Sequence, residues 1–397
     1  MKITSVDVIK LKRLDFSAQT PVLCRINTDE GIYGYGEAGV SIMDFSVGSY
    51  ELIKLMSPML IGKDPLYTDA IYEMLAGTFW AQGNGGVIMA AISAIDTALW
   101  DIKGKYFNVP CYVLLGGKHR DKLRAYASQL QNGWKYHNFL SAPGDLAFLK
   151  EACQAALDDG YDAIKIDFLG KRLDGSRIAG GTSGPMRNYI TKDLMKDFMA
   201  RVECARETVG PDIDIIMENH NITNATTALQ FAREAEPYDI MFLEEPASPM
   251  SVLEYERLAA GTSIPLATGE RTYTRLGFLP LIENGSLSVV QPDLGNCGGI
   301  TEGRKICDLA NTFGVSVQTH TCNTPISVAA SLQLEAAIPN FIIHEHHTVN
   351  TLKEVTELCV HDYQPVGGYF GIPDLPGIGN ELSEKALAEA QAIETVR

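Results

Sequence analysis

Six short apolar runs in this chain each end in a residue able to bind a metal or move a proton. They read IDIIMENH, IMFLEEP, IPLATGER, SLSVVQPD, VSVQTH and NFIIHEHH, and the closing residues are Glu218, Glu244, Glu270, Asp293, His320 and Glu345. The steps between those residues are 26, 26, 23, 27 and 25 positions. A strand, a helix and two short loops take up about that length, so each step matches one βα unit. Several parallel strands would then deliver one functional group each, at their C-terminal ends, to a common centre.

Upstream, RAYASQ and DAIKID read as two further strands, with helices over 145–159 and 192–209. In the second helix Leu194, Phe198, Val202, Ala205 and Val209 fall on one stripe. Eight strands alternating with helices favour a closed parallel α/β barrel from residue 123 to 360. Residues 1–122 read as a small α+β domain. ITSVDVIKLK and PVLCRIN alternate apolar and polar residues, and Asp29-Glu30-Gly31 turns the chain into IYGYGEA. GGVIMAAISAIDTALWDIKGK reads as a buried helix with small residues for close packing. The turn-rich section 361–397 is expected to pack back on the N-terminal domain.

At 397 residues the chain exceeds what one compact core usually holds. A formal charge of −16 with no basic run argues against nucleic-acid or anionic-membrane partners. The apolar stretch Val87–Trp100 is interrupted and too short to span a bilayer. Eight cysteines without a CxxC pair read as reduced thiols, which with an N-terminus patterned as a strand predicts a cytoplasmic protein.

The residue types in the ring suggest a chemistry. Glu218, Glu244 and Glu270 on consecutive strands would repel one another unless a hard divalent cation, Mg²⁺ by default, sits between them. Asp293 next to His320 suits a carboxylate that orients an imidazole acting as general base or acid. Lys165 could offset substrate carboxylate charge or act as a second base. Asp167, on the same strand face, could bind a substrate hydroxyl or hold Lys165. His220 shares a face with Glu218, and Glu345 could hydrogen-bond an oxyanion if protonated or buttress its neighbours. A cation beside a His–Asp pair suits removal of a proton α to a carboxylate, giving an ene-diolate, a strategy well attested in enolase-type sites.

This ring, together with SAIDTALWDIKGK, FLEEP, TGER, QPDLGNCGGITE and PGIGNEL, resembles the enolase superfamily, mandelate racemase subgroup, over nearly the whole chain. Glu218-Asn219-His220 is similar to the acid-x-His pair of acid-sugar dehydratases of the galactonate dehydratase kind. The resemblance implies an N-terminal capping domain over a modified TIM barrel, (β/α)7β. It implies Mg²⁺ on Glu218, Glu244 and Glu270, α-proton abstraction by His320 with Asp293, and protonation of the departing hydroxyl by His220. Glu345 and Lys165 would hold the substrate carboxylate end. The expected reaction is dehydration of an aldonate or aldarate to a 2-keto-3-deoxy sugar acid, and the family habit is a homo-oligomer.

The chain departs from the pattern in three places. Its second strand ends Lys-x-Asp where racemases carry Lys-x-Lys and the galactonate enzymes Lys-x-Asn, its first metal ligand is Glu rather than Asp, and its 168–190 loop is long. That loop, with Arg172, Arg177, Arg187 and Tyr189, is expected to set specificity with the stretches 14–21, 40–48 and 79–86. Competing readings are a racemase or epimerase using Lys165 and His320 on opposite faces, and a non-catalytic barrel serving as a binding protein. A zinc hydrolase would want more histidine ligands than this ring supplies.

Overall fold

In the computed structural model, which describes residues 1–15, 17–39, 46–138, 141–178, 186 and 188–397, the alternating N-terminal runs form an antiparallel meander. Its strands are β1 (Ile3–Lys10), β2 (Val22–Thr28) and β3 (Tyr33–Ala38). The β2–β3 turn passes through Gly31 at φ 78°, a left-handed conformation that glycine adopts without penalty. The helix Gly86–Phe107 lies on this sheet at very close range. A Cβ on Gly36 would stand 1.9 Å from the Ala94 carbonyl oxygen, so the approach requires glycine there.

From residue 122 onward the chain builds β4 (Lys122–Ser128), β5 (Ala163–Asp167), β6 (Asp214–Glu218), β7 (Ile240–Glu244), β8 (Leu266–Thr268), β9 (Val289–Val290), β10 (Ser316–Val317) and β11 (His344–His347). Consecutive strands from β4 to β10 pair in parallel, and β11 pairs in parallel with β4. A bridge between Val317 and Phe341 joins β10 to the residues leading into β11 and completes the circle. One helix fills each of the seven crossings, from Leu146–Asp158 to Pro325–Ala336. The fold is therefore a (β/α)7β barrel beneath an antiparallel cap. A short strand β12 (Tyr369–Gly371) pairs antiparallel with β4, and β13 (Ala392–Val396) pairs antiparallel with β1, Val396 opposite Val6.

Strand register determines what the barrel mouth contains. Asp167 pairs with Glu218, and Glu218 with Glu244, so three acids stand at one level on adjacent strands. Two residues below, on the same strand face, lie Ile216 and Phe242, packed with Tyr126, Ala163, Ala267, Val289 and Ile343 into a separate apolar cluster. This cluster is the floor under the site.

Buried carboxylates join cap to barrel. Asp96 accepts from the Thr301 amide at 2.8 Å, and Asp101 accepts from the amides of Tyr35 and Ile378 at 3.0 Å each. Glu37 on β3 accepts from Thr324 Oγ1 and Ser327 Oγ at 2.7 Å each, at the start of the last barrel helix. Among the described residues no helix is long and apolar enough to cross a membrane.

Candidate active site

Glu218 and Glu244 end β6 and β7, and Glu270 follows β8 by two residues. One carboxylate oxygen from each comes within 4.8 Å of the others. Glu218 and Glu244 are buried, and Glu244 Oε2 meets no hydrogen-bond donor. Burial and the neighbouring acids outweigh the Lys165 charge and lift the Glu244 carboxyl to about 7, and burial raises Glu270 as well. Three hard oxygen donors crowded together, two of them pushed towards the neutral form and Glu244 Oε2 without a hydrogen-bond partner, fit a divalent cation. The Arg271 guanidinium, next in sequence, bridges Glu270 Oε1 and the buried Glu245 Oε2.

Lys165 rises from β5 into the same cluster. Its Nζ lies 2.8 Å from Glu244 Oε1, 2.8 Å from Glu345 Oε1 and 3.3 Å from Glu218 Oε2, and the residue is 1% exposed. Burial disfavours the ammonium, but the three carboxylates outweigh it and hold the pKa well above the ordinary value. Glu345 also accepts from Ser128 Oγ at 2.7 Å and the Thr321 amide at 3.0 Å. Burial opposes its ionisation, yet the Lys165 and His320 charges keep its carboxyl well below the usual range. With Lys165, Ser128 and the Thr321 amide all directed at its oxygens, its geometry suits a buttress.

Two imidazoles face the carboxylates. His320 Nδ1 is 2.7 Å from Asp293 Oδ2, and its Nε2 is 3.3 Å from Glu270 Oε2. His220 Nδ1 is 2.9 Å from Asp167 Oδ2, and its Nε2 is 2.9 Å from Glu218 Oε1. A carboxylate only accepts, so in both rings Nδ1 carries a proton and Nε2 is the atom turned to the centre. Burial disfavours both imidazolium ions, but adjacent acids, Glu218 for His220 and Glu270 for His320, raise both pKa values well above the ordinary one. In a ring of eight strands β6 and β10 are four apart, so the two histidines approach from opposite walls.

The mouth opens into a cavity of about 520 Å³ lined by both histidines and by Gln129, Gln131, Asn132 and Lys171. The three amides among them carried no sequence signal, because amides in a turn after a strand show no periodic spacing. Gln129, at φ 68°, donates to Glu218 Oε2 at 2.6 Å. Lys171 Nζ lies 2.9 Å from the Ala142 oxygen and 3.1 Å from Asn132 Oδ1, and burial followed by Arg177 and Arg201 lowers it to about 8. Of the stretches expected to shape specificity, 14–21 contributes Ser17 and Gln19, and 168–190 contributes Gly170, Lys171, Arg177 and Ile178. Arg172 turns away to Asp197 at 2.9 Å, and Tyr189 is exposed. Gly85 backs the cavity residue Tyr273. Residues 40–45, 179–185 and Arg187 lie outside the described residues.

Comparison with known proteins agrees with this architecture. Residues 4–116 match the mandelate racemase / muconate lactonizing enzyme N-terminal domain, and residues 148–386 match the enolase C-terminal domain-like family. A D-xylonate dehydratase of Haloferax volcanii is 33% identical over 375 residues, 94% of this chain and 85% of that protein. A D-galactonate dehydratase of Variovorax paradoxus is 31% identical, over 96% of this chain and 94% of its own length. A crystal structure of an enolase superfamily member from Salmonella Typhimurium superposes with a TM-score of 0.94 at 43% identity, covering 100% of each chain. The 3,6-anhydro-D-galactonate cycloisomerase of Zobellia galactanivorans superposes at 0.82 with 27% identity, over 99% of this chain and 100% of its own. With its cap and barrel both matched, the chain belongs to the mandelate racemase / muconate lactonizing enzyme family of the enolase superfamily.

Proposed function

We propose that this protein, an enzyme of the lyase class, uses Mg²⁺ to remove water from an aldonic or aldaric acid and yields a 2-keto-3-deoxy sugar acid. The observation that carries the reading is the pair of carboxylate-held imidazoles on opposite walls of a three-carboxylate cluster. Glu218, Glu244 and Glu270 would hold the cation, which when bound supplies Lewis-acid polarisation of the substrate carboxylate and so acidifies C2–H. His320, in its neutral form with the proton on Nδ1, takes the C2 proton on Nε2, and Asp293 stabilises the resulting imidazolium. The C–H electron pair, delocalised into the carboxylate, then expels the C3 hydroxyl. His220 Nε2 delivers a proton to that oxygen as the C3–O bond breaks, so that water leaves. The enol left behind becomes the 2-keto acid by taking a proton at C3.

Lys165 serves this scheme as a fixed cation. Its ammonium limits repulsion among Glu218, Glu244 and Glu345, and holding three ion pairs in a buried pocket makes it a poor second base. That argues against the racemase alternative built on Lys165. The relatives' names point the same way, since both are dehydratases of sugar acids. The test is a screen of the purified protein with Mg²⁺ against a library of aldonic and aldaric acids, read as semicarbazone formation from a 2-keto product. A keto acid from one of them is the expected result. Loss of optical activity with no keto acid from any substrate would replace dehydration by epimerisation.

A further inference from the structure

Four hydrogen bonds and one ion-pair contact link five residues into a ring on one wall of the mouth. Gln129 Nε2 donates to Glu218 Oε2 at 2.6 Å, Gln131 Nε2 donates to Gln129 Oε1, and the Asp167 amide donates to Gln131 Oε1 at 3.1 Å. Asp167 Oδ2 meets His220 Nδ1 at 2.9 Å, and His220 Nε2 returns to Glu218 Oε1 at 2.9 Å. The remaining Asp167 oxygen, Oδ1, accepts from the amides of Leu169 and Gly170 at 2.8 and 3.1 Å. Both carboxylate oxygens are thus committed within the protein, and Asp167 is buried at 8% exposure.

We propose that Asp167 is a positioning residue for His220: it fixes the ring plane and keeps a proton on Nδ1, so that Nε2 is the atom offered to the leaving group. An imidazole without such a partner can turn about its Cβ–Cγ bond and exchange its two nitrogens. Asp293 does the same for His320 across the barrel, so each wall carries one imidazole held by one carboxylate. Asp167 Oδ1 also anchors the first residues of the 168–178 segment, whose Gly170, Lys171, Arg177 and Ile178 line the cavity. The group that aligns the proton donor is therefore the group that seats part of the substrate wall. The step itself is the one above: the proton moves from His220 Nε2 to the C3 oxygen, the C3–O electron pair goes to that oxygen, and neutral imidazole remains bonded to Asp167 through Nδ1.

This inference rests on the dehydration reading, and the experiment separates the two. Wild type, Asp167→Asn, Asp167→Glu and His220→Asn are given a sugar acid that the wild type dehydrates, and its 3-deoxy-3-fluoro counterpart, whose fluoride departs without a proton. Keto acid, fluoride and deuterium uptake at C2 are measured in D₂O. Asparagine keeps an acceptor for the Leu169 and Gly170 amides, so the segment stays anchored while the charge is lost. Water elimination by Asp167→Asn is expected to fall about 100-fold, with C2 exchange persisting, and the ratio of fluoride to water elimination to rise by a similar factor, as in His220→Asn. Asp167→Glu should recover part of that ratio. Parallel loss of both eliminations, with the ratio unchanged in the Asn and Glu variants, would overturn the positioning role. A wild type that yields keto acid from no sugar acid would overturn the dehydration reading on which it rests.

Discussion

Glu37→Gln tests whether the cap is docked through a carboxyl that the fold prefers to keep protonated. Glu37 lies at 2% exposure and accepts from Thr324 and Ser327 at the start of the last barrel helix. Burial outweighs those hydrogen bonds and moves its pKa from the ordinary 4.5 to about 7. At ~1.4 kcal/mol per pH unit of displacement, this corresponds to about 3 kcal/mol of pH-dependent stability. The sign follows from where the proton sits. The folded state retains it up to about pH 7 whereas the unfolded chain releases it near 4.5, so the contribution is complete below 4.5 and lost as pH rises through 7. Glutamine has no proton to lose. The assay is urea unfolding followed by circular dichroism at about pH 5 and 8, comparing variant with wild type. Near pH 5 the two should be close, the variant weaker by no more than about 1 kcal/mol for an imperfect hydrogen bond. Near pH 8 the variant should have gained about 3 kcal/mol relative to wild type. Asp96, also raised to about 7 by burial, titrates in both proteins and cancels in the difference. A variant-minus-wild-type difference that stays constant to within ~0.5 kcal/mol across this range would refute the argument.

The remaining predictions concern the barrel mouth. Lys165→Met strands three buried carboxylates, and should cost about 3–5 kcal/mol in urea unfolding without divalent cations; a loss below ~1 kcal/mol would mean that the ammonium does not hold the cluster together. His320→Asn should abolish both C2 exchange and keto acid, since nothing then removes the α-proton. His220→Asn should lose keto acid by about 100-fold yet keep exchange, and equal loss of exchange in both variants would refute this division of labour.

The βα spacing exposed the ring of Glu218, Glu244, Glu270, Asp293, His320 and Glu345 because each strand carries its group at a fixed end. Yet β9 and β10 have only two residues each, so Asp293 and His320 stand on turns beyond the last paired residue. The motif spacing located them where strand periodicity alone would have been too short to do so. What stayed hidden depends on contacts between segments far apart in sequence. Glu37 in YGYGEA reads as one more polar strand residue, although its partners lie 287 and 290 positions away. Asp167 shows its strand position in the sequence, but not that its two oxygens meet His220 and the amides of Leu169 and Gly170. Gln129 and Gln131 fall outside any periodic pattern, and only the left-handed turn at Gln129 brings an amide to Glu218.

The pairing of β1 with β13 has a consequence for synthesis. Val6 waits for Val396, Asp7 for Thr395 and Lys10 for Ala392. At translation rates of roughly 5–20 residues per second, the outer edge of β1 stays without its partner for on the order of 20–80 s after leaving the ribosome. Each barrel strand from β5 to β10, in contrast, can pair with its predecessor as soon as one more βα unit has emerged. The cap sheet, first to be made, is thus among the last to be completed, and an open strand edge is a template for pairing with another nascent chain. Slower elongation before residue 392 would lengthen that exposure, so aggregation of newly made protein should depend on translation speed even though the finished molecule hides the edge.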